Sequence, residues 1–553
     1  MRKSRILLVS SLCLILGNST SLAGERTERE MLSIAQSQLA KGAKTRSAQT
    51  VDKLLEEKYY NVYGNEQSFV IVSREDTFTP VLAYSDTHFD ANKLPCGMQW
   101  WLGAINEQME ASTQTNNGIA TRAAVSYTPV APLCKTLWGQ DDPYNFLTPE
   151  LNGRHTPTGC VATAMSQIMK FFEYPAQGKG KGYYTLNGSS SRVPEPINSV
   201  YEWDKMLDTY KSYETTDEMR LPVATLMKEC GLATFMDYGT SGSGAFSVFA
   251  SRGFAYNFGY DSLAIHCYYR DFFDRDWWMN TINQELVNGR PILYTGLDPA
   301  NGGHAFVLDG IDETGKVHIN WGWDGDCDGY YDINDLNPVD DKGKAKADHY
   351  IQQQSMVYGF RCQEGSAEGE SYASLWCTMF SAKPYTLDIN GKILMVKSPN
   401  IYNFHYQTFY GVFGAYCENI DGNPENSLFK QIGQKQNGVP TFDGTDDLNN
   451  SIFITGIKPG NYRVYLASKA DTEQHYQPVR CVGGAPYYEL TVSEDGKTTS
   501  MSEAKLLPEP TGIQTPKYER RQTDGIYDLQ GRRHNADNLP KGIYIIDGKK
   551  VVK

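Results

Sequence analysis

Thr156–Phe172, TPTGCVATAMSQIMKFF, sets one cysteine behind a Pro and two residues of turn chemistry and in front of an apolar run. Val161, Ala164, Met165, Ile168 and Phe172 recur at i, i+3, i+4, i+7 and i+11, the single apolar stripe of an amphipathic helix. The following EYP, with Pro175, stops it. Thr156 or Thr158 is placed to cap its start. Cys160 then falls in the first turn, where unpaired N–H groups and the positive end of the macrodipole favour an anion. That position predicts a thiol pKa lowered from ~8.5 toward the ~3.5–7.5 of activated cysteines. Unpaired cysteines are also among the most buried residue types. The stretch alone therefore leaves an inert core thiol and a nucleophile both open.

A second stretch, NGGHAFVLDGIDETGKVHINWGWDGDCDGYYDINDLNP from Asn301, narrows the choice. HAFVLDGID and KVHINWGW read as two strands joined by the turn ETG. His304 opens the first strand, Asn320 and Trp321 end the second, and in a hairpin those ends are expected to meet. An imidazole there can take the thiol proton and return it to a leaving amine, while a side-chain amide or indole holds the ring. Gly302 and Gly303 allow close backbone approach to a ligand. Metal binding would want clustered Cys and His ligands, and His266, His318 and His349 have no comparable neighbours. Upstream, in KTLWGQDDPYN, the Gln140 amide and the Cys160 N–H are candidate donors to an oxyanion, a contribution of ~3–4 kcal/mol in such sites.

At 553 residues the chain exceeds one core. A net charge of −13 with no long Lys/Arg stripe argues against nucleic acid as a partner. Met1–Glu25 carries Arg2, Lys3 and Arg5, an apolar stretch Ile6–Leu16 and a small-residue exit at Ser21 and Ala23, which reads as a secretory signal peptide. Of 11 cysteines, Cys13 lies in that signal; the other ten, Cys96 to Cys481, show no C-x-x-C and no disulfide framework. The expected partition is 1–23 signal, 24–122, 123–365, 366–505 and 506–553. A helix is expected in ERTEREMLSIAQSQLAKGA and strands in SFVIVSRED and TPVLAYSD. ASTQTNNGIATRAAVSYTP is a linker by composition, with a boundary near Arg122. The short alternating strands of 366–505 suggest a β-sandwich.

WGQDDPYN, TPTGCVATAMSQIMKFFEYP, MDYGTSGSG, GGHAFVLDG and HINWGWDG, in that order, resemble the streptopain family of secreted cysteine peptidases. The resemblance spans roughly Pro132–Cys362. It implies an α+β, papain-like catalytic domain of two subdomains, with Cys160 as nucleophile, His304 as general base and acid, and Gln140 as the oxyanion amide. In papain relatives an Asn followed two residues later by a Trp orients the histidine; here Asn320 directly precedes Trp321, and both stay open for that task. Gly239, Ser241, Gly242 and Ser243 resemble a mobile loop bordering the family's substrate cleft, with Gly303 and Trp323 beside it. SFVIVSREDTFTPVLAYSD resembles the first strands of the family's propeptide, implying an inhibitory segment that ends near Arg122. The tail GIYDLQGRR…LPKGIYIIDGKKVVK is similar to type IX sorting domains, implying contact with an outer-membrane secretion machinery and a secreted or cell-surface enzyme.

The implied activity is peptide-bond hydrolysis through a thiolate acyl-enzyme, by an autoinhibited zymogen that needs no cofactor or metal. An acyltransferase on the same fold and a surface adhesin with a vestigial site are the alternatives. DGDCDGYYDIND imitates an EF-hand loop, but Asp335 stands where a bidentate Glu is needed and strands flank it. GKGKG at Gly178 lacks the context of a P-loop.

Overall fold

The computed structural model describes residues 24–42, 50–114, 126–211, 215–298, 302–333, 354–362, 375–377, 384–434, 437–508, 526–528, 533–534, 543–546 and 549–552. The expected signal peptide and the boundary at Arg122 lie outside them. No helix among the described residues is long and apolar enough to cross a membrane.

The N-terminal region begins with helix α1 (Glu28–Gly42), started by a capping box in which Glu30 accepts from the Thr27 N–H at 2.8 Å and Thr27 Oγ1 accepts from the Glu30 N–H. Four strands follow: β1 (Asp52–Glu56), β2 (Tyr60–Gly64), β3 (Phe69–Ser73) and β4 (Val81–Ser85). β3, FVIVS, is buried along its whole length, as a run of β-branched residues covered on both faces should be. Helix α2 (Cys96–Gln114) comes next. The linker-like stretch thus starts inside a helix. Met98, Trp101, Leu102, Ile105 and Met109, all buried, repeat the same i, i+3, i+4, i+7, i+11 spacing as the Cys160 helix.

The central region contributes helices α3 (Cys160–Phe172), α4 (Asp217–Ala233), α5 (Ser247–Tyr256) and α6 (Arg275–Val287). Its strands are β5 (His266–Tyr269), β6 (Ile292–Asp298), β7 (Gly302–Ile311), β8 (Val317–Asn320), β9 (Gly329–Tyr331) and β10 (Ser355–Tyr358). All ten strands form one sheet, in the order β1-β2-β3-β4-β9-β8-β7-β6-β10-β5. The seam is β4 with β9, antiparallel, pairing Ala83 with Tyr331 and Tyr84 with Tyr330. The Tyr84 and Tyr330 rings stack at 5.1 Å, and the Tyr84 hydroxyl donates to Asp312 at 3.0 Å.

Period-2 alternation along β7 divides two cores. Phe306 and Leu308 join α2, α6 and the N-terminal strands on one face, whereas Ala305 and Val307 join α3, α4 and α5 on the other. Further along, a three-stranded sheet (386–390, 393–398, 448–453) and a seven-stranded sheet built on 411–419, 460–470 and 486–492 enclose a separate core. Trp376 and Phe404 of this C-terminal part enter the first core and Tyr406 the second. The last described strands, 526–552, form a four-stranded sheet.

Candidate active site

Cys160 is the first residue of α3, as the spacing predicts, but no side chain caps the helix. Gly159 is the N-cap at φ 86°. Thr158 Oγ1 instead meets Thr163 Oγ1 at 2.8 Å, and Thr156 Oγ1 donates to the Pro149 carbonyl at 3.1 Å. Glycine is required at 159 twice over: φ is positive, and a Cβ would lie 2.7 Å from Met236 Cε and 3.0 Å from the Ser243 carbonyl.

The thiol accepts from the backbone N–H groups of Ala305 and Val161, both of which favour the thiolate. Its pKa nevertheless moves up, contrary to the expectation from the helix terminus. Burial is the leading cause and outweighs the N–H groups; Cys96, at the start of α2, adds opposition to the charge. The first turn of α2, through Cys96, therefore opposes the ionisation that the start of α3 would otherwise promote.

His304 is the third residue of β7 rather than its opening, and it pairs with Gly296. The two strand ends do not meet. Val307 is opposite Asn320, so β7 runs five residues beyond β8 and His304 lies three residues past the last pair. A bulge between Leu308 and Gly310 shifts the register, and a Cβ at Gly310 would approach the Val130 carbonyl to 2.9 Å. The overhang leaves the Ala305 N–H without a β8 partner in the ladder and available to Cys160.

The Asn320 amide is spent on α3 and its surroundings: Oδ1 accepts from Gln167 Nε2 at 2.9 Å and from the Gly322 N–H, and Nδ2 donates to the Thr136 carbonyl at 2.7 Å. Trp321 Nε1 donates to the Cys327 carbonyl at 3.1 Å, and its ring packs on Phe306 at 4.7 Å. Gln167, which also accepts from Thr136 Oγ1 at 2.8 Å, is the residue that ties α3 to β8. Sequence reasoning passed over it; an amide on a helix face of otherwise apolar residues was the available signal.

Gln140 reaches the site through its backbone, its carbonyl accepting from the Thr158 N–H at 3.0 Å; its side-chain amide has no hydrogen bond among the described residues. Gly239, Ser241, Gly242 and Ser243 form the tip of a turn closed by reciprocal Asp237–Gly244 backbone bonds. Ser243 Oγ donates to the Pro157 carbonyl at 2.7 Å, three residues before the thiol. Gly303 and Trp323 are exposed. His318, set aside on sequence grounds, forms a buried pair with Asp309 at 2.6 Å, its pKa raised by that carboxylate against the cost of burial. Asp328 accepts from the Trp321 N–H at 2.8 Å, and burial pushes its carboxyl up to about 7. No group of three or more metal-ligating side chains occurs among the described residues.

The N-terminal region closes over this constellation. A Cβ on Gly296, the residue paired with His304, would lie 2.1 Å from the Trp100 ring, and one on Gly97 would lie 2.6 Å from the Trp321 ring. Only glycines let α2 settle on these aromatic surfaces. Its Trp101 donates to the Asp332 carbonyl at 2.8 Å.

A thiol at the head of a helix, against the backbone of the residue that follows His304, under an N-terminal region that adds its own strands to the same sheet, points to the class: a cysteine peptidase in its zymogen form. The chain belongs to the Peptidase C10 family, whose profile matches residues 138–331. Residues 25–109 match the Spi protease inhibitor profile. Streptopain of Streptococcus pyogenes is 33% identical over 300 residues, 50% of this chain and 74% of that protein. The thiol protease/hemagglutinin PrtT of Porphyromonas gingivalis is 29% identical over 351 residues, covering 60% of this chain and 40% of that one. Among solved structures, a fragment of Prevotella intermedia prointerpain A superimposes with a TM-score of 0.50 at 32% identity, over 56% of this chain and 98% of the fragment.

Proposed function

We propose that the chain is exported through residues 1–23 and that, once the segment up to about Arg122 is removed, Cys160 and His304 form the catalytic dyad of an endopeptidase. The Ala305 N–H on the Cys160 sulfur carries this reading, because it holds the thiol against the backbone of the residue that follows His304. In the open enzyme His304 takes the Cys160 proton, the thiolate attacks the scissile carbonyl, and the imidazolium returns the proton to the leaving amine. The unengaged Gln140 amide and the Cys160 N–H are suited to the tetrahedral oxyanion. Water then resolves the thioester. Asn320 and Trp321 act as positioning residues, Asn320 through Gln167 and Trp321 through packing on Phe306. Gly239, Ser241, Gly242, Ser243, Gly303 and Trp323 border the groove for an extended polypeptide. Residues 506–553 serve as the sorting segment read by a type IX machinery.

Cys160→Ala tests the reading. Proteolysis and self-maturation are expected to vanish while the melting curve of the full chain stays that of the parent. Activity retained in that variant would refute it.

A further inference from the structure

Two buried cysteines outside the active site lie side by side. Cys377 Sγ and Cys481 Sγ are 3.2 Å apart across 104 residues of chain, and the Cys377 N–H donates to the Arg480 carbonyl at 2.7 Å. Both are sealed in the core of the C-terminal sheets. The residue preceding each cysteine leaves that core and grips the same short piece of the peptidase. Trp376 packs on Phe272 at 4.7 Å, on Phe273 at 5.8 Å and on Tyr268 at 5.4 Å. Arg480 lies over the Phe273 ring at 4.0 Å and donates from Nε to the Phe272 carbonyl at 2.9 Å. Gly483, two residues past the second cysteine, donates its N–H to the Asp271 carbonyl at 2.7 Å.

We propose that Cys377 and Cys481 are oxidised to a disulfide that staples together the two strands of chain by which the C-terminal β-region holds residues 268–273 of the peptidase. The sulfurs need only close from contact to bonding distance, with the backbones already hydrogen-bonded. Two S–H bonds break and one S–S bond forms. The two electrons and two protons pass to a disulfide oxidant, either a thiol–disulfide oxidoreductase or a small-molecule disulfide, which is reduced to its two thiols. The occurrence of such an oxidant in the cell rests on the export reading above. The burial of both sulfurs gives the staple a separate life from Cys160: a mild reductant reaching the cleft thiol leaves the enclosed bond intact.

The full-length Cys160→Ala chain, unfolded and reduced, is refolded in a buffer of glutathione and glutathione disulfide so that both thiols meet the oxidant before burial, then denatured without reductant, alkylated with iodoacetamide and digested. A peptide joining residues 377 and 481, lighter by two hydrogens than the sum of its parts and absent after reduction, is expected. The oxidised protein should melt about 10 °C above the reduced one, and a Cys377→Ser, Cys481→Ser double variant should show no such difference. Both cysteines alkylated, or both carrying glutathione, would overturn the staple. Retention of the chain in the cytoplasm, with the linked peptide still formed in the purified protein, would overturn the export reading alone.

Discussion

Gly296→Ala should unlatch the zymogen without harming the peptidase. The added methyl would sit 2.1, 2.2 and 2.6 Å from three ring carbons of Trp100, a side chain that is 2% exposed and flanked by Phe306. Overlap with a buried indole of this kind costs about 1–3 kcal/mol. At 1.4 kcal/mol per tenfold, the closed form should weaken by about 5- to 150-fold relative to the open one. After the N-terminal region leaves, the same position faces no indole, and a Gly-to-Ala change inside a strand favours the fold by about 0.5–1 kcal/mol. The sign therefore differs between the two states. In a Cys160→Ala background, the variant zymogen should melt below its parent; in the Cys160 background, the uncut chain should show raised activity on a fluorogenic peptide. Trp100→Ala should erase the effect of Gly296→Ala, since the two share one contact. A Gly296→Ala zymogen as latent and as stable as the parent would refute the idea that this contact closes the site.

Asp328→Asn is expected to remove a pH dependence. Burial holds the carboxyl at about 7, and its Oδ2 has no hydrogen-bond partner among the described residues. The folded chain keeps a proton that the unfolded chain releases near the usual ~4, so stability contributed here is present at low pH and falls as pH rises from about 4 to about 7. The difference in Tm between parent and variant should follow that window; a difference that is flat with pH would contradict it. Ser243→Ala removes the bond to the Pro157 carbonyl, worth about 0.5–1.5 kcal/mol. Steady-state kinetics should show KM raised about 2- to 10-fold with kcat nearly unchanged, and an equal fall in kcat would move Ser243 out of substrate binding.

Elements with strong local periodicity were legible. The Cys160 helix and the strands around residues 70, 83 and 304–320 follow from apolar spacing and turn residues. Helix α2 carried the same spacing, but a Thr/Asn/Ala-rich run overlapping its end drew attention to composition instead. Register was not legible. A single bulge at Leu308–Gly310 decides that Asn320 faces Val307 rather than Leu308, three residues short of His304, and nothing in the residues between them announces it. The thiol's pKa direction failed for a related reason. The helix terminus is local and can be read from Cys160, whereas its burial, and the opposing charge of Cys96, 64 positions earlier in the chain, come only with the tertiary fold.

The β4–β9 seam makes the mature enzyme something other than the zymogen with a piece missing. When the N-terminal strands depart, β9 is left as a raw margin, its outward amides and carbonyls bare and open to strand addition by any extended chain. The margin is only three residues long and is bracketed by Asp328 and Asp332. Such brevity and bordering charge are the means by which proteins keep a newly cut sheet from annealing to its neighbours.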